Sequence, residues 1–191
     1  MKVLASLKPY YYYLIGEKIK TLEIRKSDLK NLPQDVLFYM SKDEKSFAKI
    51  PKEFQEKYRK HFGKVGIEFI CDKSICLDYY PQDYTGMPGK FSEMICKESC
   101  LSYDEIMAYK KEKLAYGWHI SNLKVYDNPR ELSEFRRECP NYKDLPAYGY
   151  VNCNQCRYSY TINRFIKCQI AGNIPVFCAP QSYMYIKEVE G

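Results

Sequence analysis

Apolar Val3, Leu4 and Leu7 predict a short strand that ends at Lys8-Pro9. Pro9 suits the first turn of a helix, where its fixed φ fits and its missing N–H is not needed, and Tyr10 to Ile15 would continue that helix until Gly16. Thr21-Leu22-Glu23-Ile24-Arg25-Lys26 alternates polar and apolar residues, the pattern of a half-buried strand with Thr21, Glu23 and Arg25 on its polar face. Ser27 to Gln34 predicts a loop, and the apolar run Val36 to Met40 a more deeply buried strand. Pro51 to Lys60 predicts a helix with Gly63 just past its end, and Val65 to Cys71 alternates as a further strand.

Pro, Gly, Asp and Tyr between Leu77 and Lys90 predict an irregular loop. Ser102-Tyr103-Asp104-Glu105 has the capping-box spacing and should open a helix that ends near Lys111. Tyr116 to Tyr126 reads as a strand with the single Trp118 near its start, broken by Asn128-Pro129, and Arg130 to Phe135 as a short helix. Residues 136–180 turn rich in Cys, Asn, Tyr and Pro, so they predict an insertion before a last strand, Ser182 to Val189, that closes the sheet. Internal repeats are absent. The expected architecture is one domain over residues 1–191: an α+β fold with a strongly curved or closed sheet, flanking short helices and a Cys-rich insertion.

Composition changes this picture in three ways. Thirty basic residues against 24 acidic ones leave a net charge of +6, which suits a polyanionic partner. Twenty Tyr against one Trp supply many rings with a polar tip, suited to half-buried walls and contact surfaces. No stretch approaches the roughly 20 apolar residues of a membrane span, and Met1 to Lys8 has too short an apolar core for a signal peptide. A cytoplasmic setting with no membrane partner is therefore expected, and the nine Cys read as thiols or metal ligands.

Four of them, Cys139, Cys153, Cys156 and Cys168, give the spacing Cys-x13-Cys-x2-Cys-x11-Cys. A Cys-x2-Cys turn presents two thiolates to a tetrahedral ion, and two more Cys on flanking loops would complete a structural zinc site, with Cys178 as a spare ligand. The competing reading is thiols packed as small apolar groups. That second reading is preferred for Cys71, Cys76, Cys96 and Cys100, placed on a strand and its neighbouring loop. His119, beside Trp118, reads as a hydrogen-bonded core residue.

Basic residues concentrate from Lys42 to Lys64, interleaved with Phe54, Tyr58 and Phe62. Such a helix can grip a phosphate backbone, or can simply turn its aromatics to the core.

Ser6-Leu7-Lys8-Pro9, then Gly16-Glu17-Lys18 and Lys20-Thr21-Leu22-Glu23-Ile24-Arg25-Lys26, resemble the start of ASCH domains, which belong to the PUA-like superfamily of small β-barrels with flanking helices. Lys20, Glu23 and Arg25 fit the family's Gly-x-Lys-x-x-Glu-x-Arg motif, although the family Gly falls at Lys18. Tyr116-Gly117-Trp118-His119-Ile120-Ser121-Asn122-Leu123 is similar to the Trp-His-Ile-Ser strand of phage-type and bacterial members, and Pro180-Gln181-Ser182-Tyr183 to their closing segment. The resemblance implies a cleft lined by Lys20, Glu23 and Arg25 that contacts RNA or a nucleoside. Lys8, Lys20, Glu23, Arg25, Lys26, Trp118 and Ser182 are the candidate ligand contacts.

Two other functions stay open. Some members resembling this chain are amide hydrolases acting on N4-acetylcytidine, with a Lys, a Thr nucleophile and an acid. Lys20, Thr21 and Glu23 are the catalytic candidates here, but Glu23 occupies the Thr position, and the acid position falls at Ser99 with Glu98 beside it. A carboxylate cannot replace a hydroxyl nucleophile without changing the chemistry. The shifted register Lys18-x-x-Thr21 restores the spacing and loses the match to Ile24-Arg25. The phage-type flavour also suits a factor that binds a host protein.

Overall fold

The fold is described from a computed structural model, which covers residues 1–79, 90–138, 173–176 and 179–188. Strand β1 (Lys2–Leu7) lies inside a seven-stranded sheet, so both of its edges are paired. Val3, Ala5 and Leu7 point into one apolar cluster with helix α1 (Pro9–Gly16), while Leu4 points into a second on the opposite face. Beside β1 run β3 (Gln34–Met40), parallel, and β10 (Tyr183–Glu188), antiparallel. The sheet continues through β4 (Val65–Cys71) to β7 (Ser121–Arg130) on one side, and through β8 (Phe135–Glu138) to β9 (Asn173–Pro175) on the other. A smaller sheet orders β2 (Leu22–Arg25), β6 (Tyr116–His119) and β5 (Ser74–Cys76). Leu22, Ile24 and Ile75 meet Ile95 and Ile106 there, from helices α4 (Lys90–Ser99) and α5 (Tyr103–Lys110).

The fold is thus mixed α+β, and among the described residues no strand pairing closes either sheet into a barrel. The last strand pairs with β1 and β8 inside the sheet instead of sealing its ends. Both ends of the 136–180 segment run in this sheet as β8 and β9. None of the described helices is long and apolar enough to cross a membrane.

Several expectations are corrected. The strand predicted from Tyr116 to Tyr126 is two strands in different sheets, and the second passes through Asn128-Pro129 to Arg130. Proline is tolerated because β7 is an edge strand whose one partner is β4. Cys96 sits on α4 and not on a loop, and only Cys71 of the four described thiols is buried. Burial pushes the Cys71 thiol up to about 12, so it stays protonated. A one-turn helix, α2 (Glu44–Phe47), was missed; Asp43 caps it by accepting from the Ser46 N–H.

Helix α3 (Lys52–Arg59) ends against a buried polar cluster. His61, 1% exposed, lies 3.0 Å through Nδ1 from the Tyr12 hydroxyl, with the Tyr12 and Tyr58 rings beside it. Tyr58 donates to Glu17 at 2.7 Å. A Cβ on Gly66 of β4 would stand 2.2 Å from His61 Nδ1, so the imidazole rests directly on that backbone. The basic helix therefore turns Tyr58 inward and leaves Lys52, Lys57 and Arg59 exposed.

Candidate functional site

Alternation on β2 sends Leu22 and Ile24 into the helix-covered cluster and Glu23 and Arg25 the other way, between the two sheets. The expected half-buried strand is fully buried, since Glu23 and Arg25 are each 6% exposed and Lys20 1%. The three charges form one network. Glu23 holds Arg25 Nε at 3.0 Å and Lys20 Nζ at 3.4 Å. Lys20 also donates to the Ser99 carbonyl at 2.5 Å, and Arg25 Nη2 to the Ser6 carbonyl at 2.7 Å. The Arg25 guanidinium stands 5.6 Å from the Phe38 ring and 5.7 Å from the Trp118 ring. Although Arg25 Nε lies within ion-pair distance of Glu23, it is poorly aligned for a hydrogen bond. Burial drives the Lys20 amine below its ordinary value, and the Glu23 carboxylate works against that shift.

The structure brings together most of the residues singled out in the sequence. Trp118 is fully buried opposite Glu23; its indole N–H donates to the Ser27 carbonyl at 3.1 Å, and Tyr183 meets its ring edge-on. Ser182 touches Ser27 through the two hydroxyls at 3.2 Å, which brings the closing segment to the same place. Lys26 lies over the Tyr109 ring at 4.8 Å. Lys8 caps α1 without a side-chain bond and stays exposed, two residues beyond Ser6. His119, expected in the core, is 40% exposed at its side chain and pairs with Asp72 at 2.7 Å. Cys139, Cys153, Cys156 and Cys168 lie outside the described residues, as does Cys178. Among the described residues no group of three or more His, Cys, Asp or Glu is placed to hold a metal.

Open space lies beside this network. A surface cleft of about 340 Å³ is lined by Lys18, Lys20, Thr21, Ile120, Asn122 and Leu123. Its two walls are turns. Lys18 closes α1 at φ 60, with its own N–H on the Ile15 carbonyl and that of Ile19 on the Leu14 carbonyl. Asn122 opens β7 at φ 48, a conformation that Asn tolerates better than most residues. Ile120 N–H donates to the Thr21 carbonyl at 2.9 Å and pins the walls together. Lys18, Thr21 and Asn122 thus bring a cation, a hydroxyl and an amide to an apolar floor, the usual composition of a small-ligand site. Sequence reading placed Ile120, Asn122 and Leu123 on a strand and not in a site, because nothing in their pattern marks a junction between two sheets.

Among solved structures the chain is similar to the ASCH protein of Zymomonas mobilis, with 14% identity over 97% of this chain and 87% of that one and a TM-score of 0.45. Two single-site variants of that protein align at 14% and 13% identity, over 90% and 88% of their chains, each with a TM-score of 0.47. No family model matches the sequence, and no curated protein sequence does.

Proposed function

We propose that the chain binds RNA and takes one nucleotide into the cleft beside the buried ion network. The observation that carries this reading is the cleft itself. Its volume suits a nucleoside, its floor of Ile120 and Leu123 suits a base, and Lys18 supplies a cation for a phosphate. Lys20 then acts as a fixed positive wall and not as a mobile contact, since its ammonium is held by Glu23 and Ser99.

If this is right, affinity for single-stranded RNA falls steeply with salt as counterions are released. Lys18→Ala, at an exposed position, lowers the slope of log affinity against log salt by about one and leaves the melting curve unchanged. Binding that ignores salt, or no binding to any RNA at low salt, would end this reading.

A second reading draws on Thr21, whose side chain shares the cleft with Lys20. Hydrolysis of an N4-acylated cytidine would need Thr21 as nucleophile and a base beside it. The binding reading predicts no turnover of N4-acetylcytidine by the wild-type protein. Turnover that Thr21→Ala abolishes would establish the hydrolase instead.

A zinc clip formed by Cys139, Cys153, Cys156 and Cys168 remains part of the proposal. Elemental analysis of the purified protein should find about one zinc per chain, and Cys153→Ser or Cys156→Ser should release it. Metal-free protein with unchanged protease resistance would show that the four are only packed thiols.

A further inference from the structure

We propose that Asn122 reads the Watson–Crick edge of the nucleotide held in the cleft, so that the site takes any of the four bases provided that edge is unpaired. The inference rests on the RNA reading above and names the residue that recognises the base in the same 340 Å³ space.

The polar side chains that line the cleft are free, although a chain neighbour of each is occupied. Glu17 holds Lys57 and Tyr58, Lys20 holds Glu23 and the Ser99 carbonyl, and the Ser121 hydroxyl donates to the Ile70 carbonyl at 2.8 Å. Lys18, Thr21 and Asn122 follow these three in the chain, and their side chains have no hydrogen-bond or ion-pair partner among the described residues. Three free polar groups that line one cleft are what a ligand site needs and what a packed turn does not.

Asn122 is also an exposed residue in left-handed backbone, at φ 48. Glycine would make that turn without steric cost, but it would bring no side chain to the cleft wall. Asparagine tolerates the conformation and adds a carboxamide.

A carboxamide presents a donor and an acceptor side by side. So does the Watson–Crick edge of every base. Uracil and guanine offer a ring N–H next to a carbonyl, and adenine and cytosine a ring nitrogen next to an amine. The amide meets the first pattern in one orientation and the second after a half-turn about its last bond, so a single residue serves all four. The apolar floor of Ile120 and Leu123 is equally indifferent to which base lies on it. Bases within a duplex have no such edge to offer, so an unstacked single strand is the ligand.

The experiment is a fluorescence-anisotropy titration of labelled single-stranded RNAs about twelve nucleotides long, within the span a small domain covers. Oligouridine and oligocytidine should bind wild type within about threefold of each other, because the amide serves both edges. Oligo(3-methyluridine), whose ring N–H is replaced by a methyl group, should bind about tenfold more weakly, a usual worth of one bidentate pair. The salt slope should not change, since no phosphate contact is altered. Asn122→Gly keeps the left-handed turn and should bind oligouridine and its methylated form alike, both at the weaker level. Asn122→Asp keeps the acceptors and loses the donor, so it should prefer oligocytidine, whose amine donates to a carboxylate. A thermal melt checks the fold of both variants, and the methylated strand tests the wild-type protein without any variant.

Salt-dependent binding with equal affinity for oligouridine and its methylated form overturns this inference and leaves the RNA reading standing. A methylation penalty that persists in Asn122→Gly also overturns it, because another group then reads the edge. No binding by wild type to any RNA at low salt overturns both.

Discussion

Glu23→Gln should destabilise the protein by about 3–5 kcal/mol, the usual cost of leaving a buried charge without its partner. Two cations depend on this one carboxylate. Lys20 and Arg25 are 1% and 6% exposed, so water cannot replace Glu23 without opening the space between the sheets. The carbonyls of Ser99 and Ser6 would still accept from them, but a carbonyl dipole does not neutralise an ammonium or a guanidinium. Urea unfolding checks the figure, with the midpoint falling at unchanged slope. Glu44→Gln is the internal comparison. It breaks an ion pair with Arg59 in which the side chains are 67% and 51% exposed, and it should cost at most about 1 kcal/mol. Equal costs for the two substitutions would mean that the network is solvated and not held dry between the sheets.

Acid should destabilise the protein in a range where few carboxylates titrate. Burial, then Lys60 and Lys57, push His61 from 6.5 down to about 4, while Asp127 pulls weakly the other way. The folded protein therefore keeps His61 neutral where the unfolded chain has already taken up a proton. Stability from this group is complete above 6.5 and is lost as pH falls towards 4. The loss amounts to about 2 kcal/mol at pH 5 and about 3 kcal/mol near pH 4. Glu17, Glu68 and Asp72, each held below its ordinary value by hydrogen-bond partners, add their own losses with the same sign at lower pH. The readout is the change in unfolding free energy between pH 7 and pH 5. His61→Phe removes the contact between the imidazole and the Tyr12 hydroxyl and is less stable at both values, but its change should be smaller by about 2 kcal/mol. If wild type and His61→Phe lose the same amount, His61 is not the titrating group.

Local signals were legible wherever one residue type dictates one geometry. Pro9 opens α1, the Ser102–Glu105 box opens α5, and the runs Val36 to Met40 and Val65 to Cys71 are strands. The gathering of Lys20, Glu23, Arg25 and Trp118 was legible from motif order, but their burial was not. Alternation places Glu23 and Arg25 on one face of a strand and is silent about a second sheet covering that face. The same blindness hid the division at Ile120, where the chain leaves the small sheet for the large one without a Gly or Pro. Helix α4 went unread, with Cys96 and Cys100 placed on a loop, although Phe91, Met94 and Ile95 stand at the i, i+3 and i+4 spacing of a helix. The end of α1 at Gly16 was legible, but the left-handed residue that follows it is Lys18 and not a glycine.

The position of β1 between β3 and β10 also governs the order of assembly during synthesis. Leu4 and Ala5 stand opposite Met184 and Tyr183 in the antiparallel ladder, so β1 leaves the ribosome long before the strand that pairs with it. Until Tyr183–Glu188 emerges, one flank of β1 is an unpaired edge in a nascent chain already able to form β1, α1, β3 and β4. Closing that separation is slow because its loop entropy must be overcome before any contact rewards it. The nascent chain therefore presents a sticky strand edge until β10 is made, and holding that edge until then is the step where a chaperone has the most to contribute.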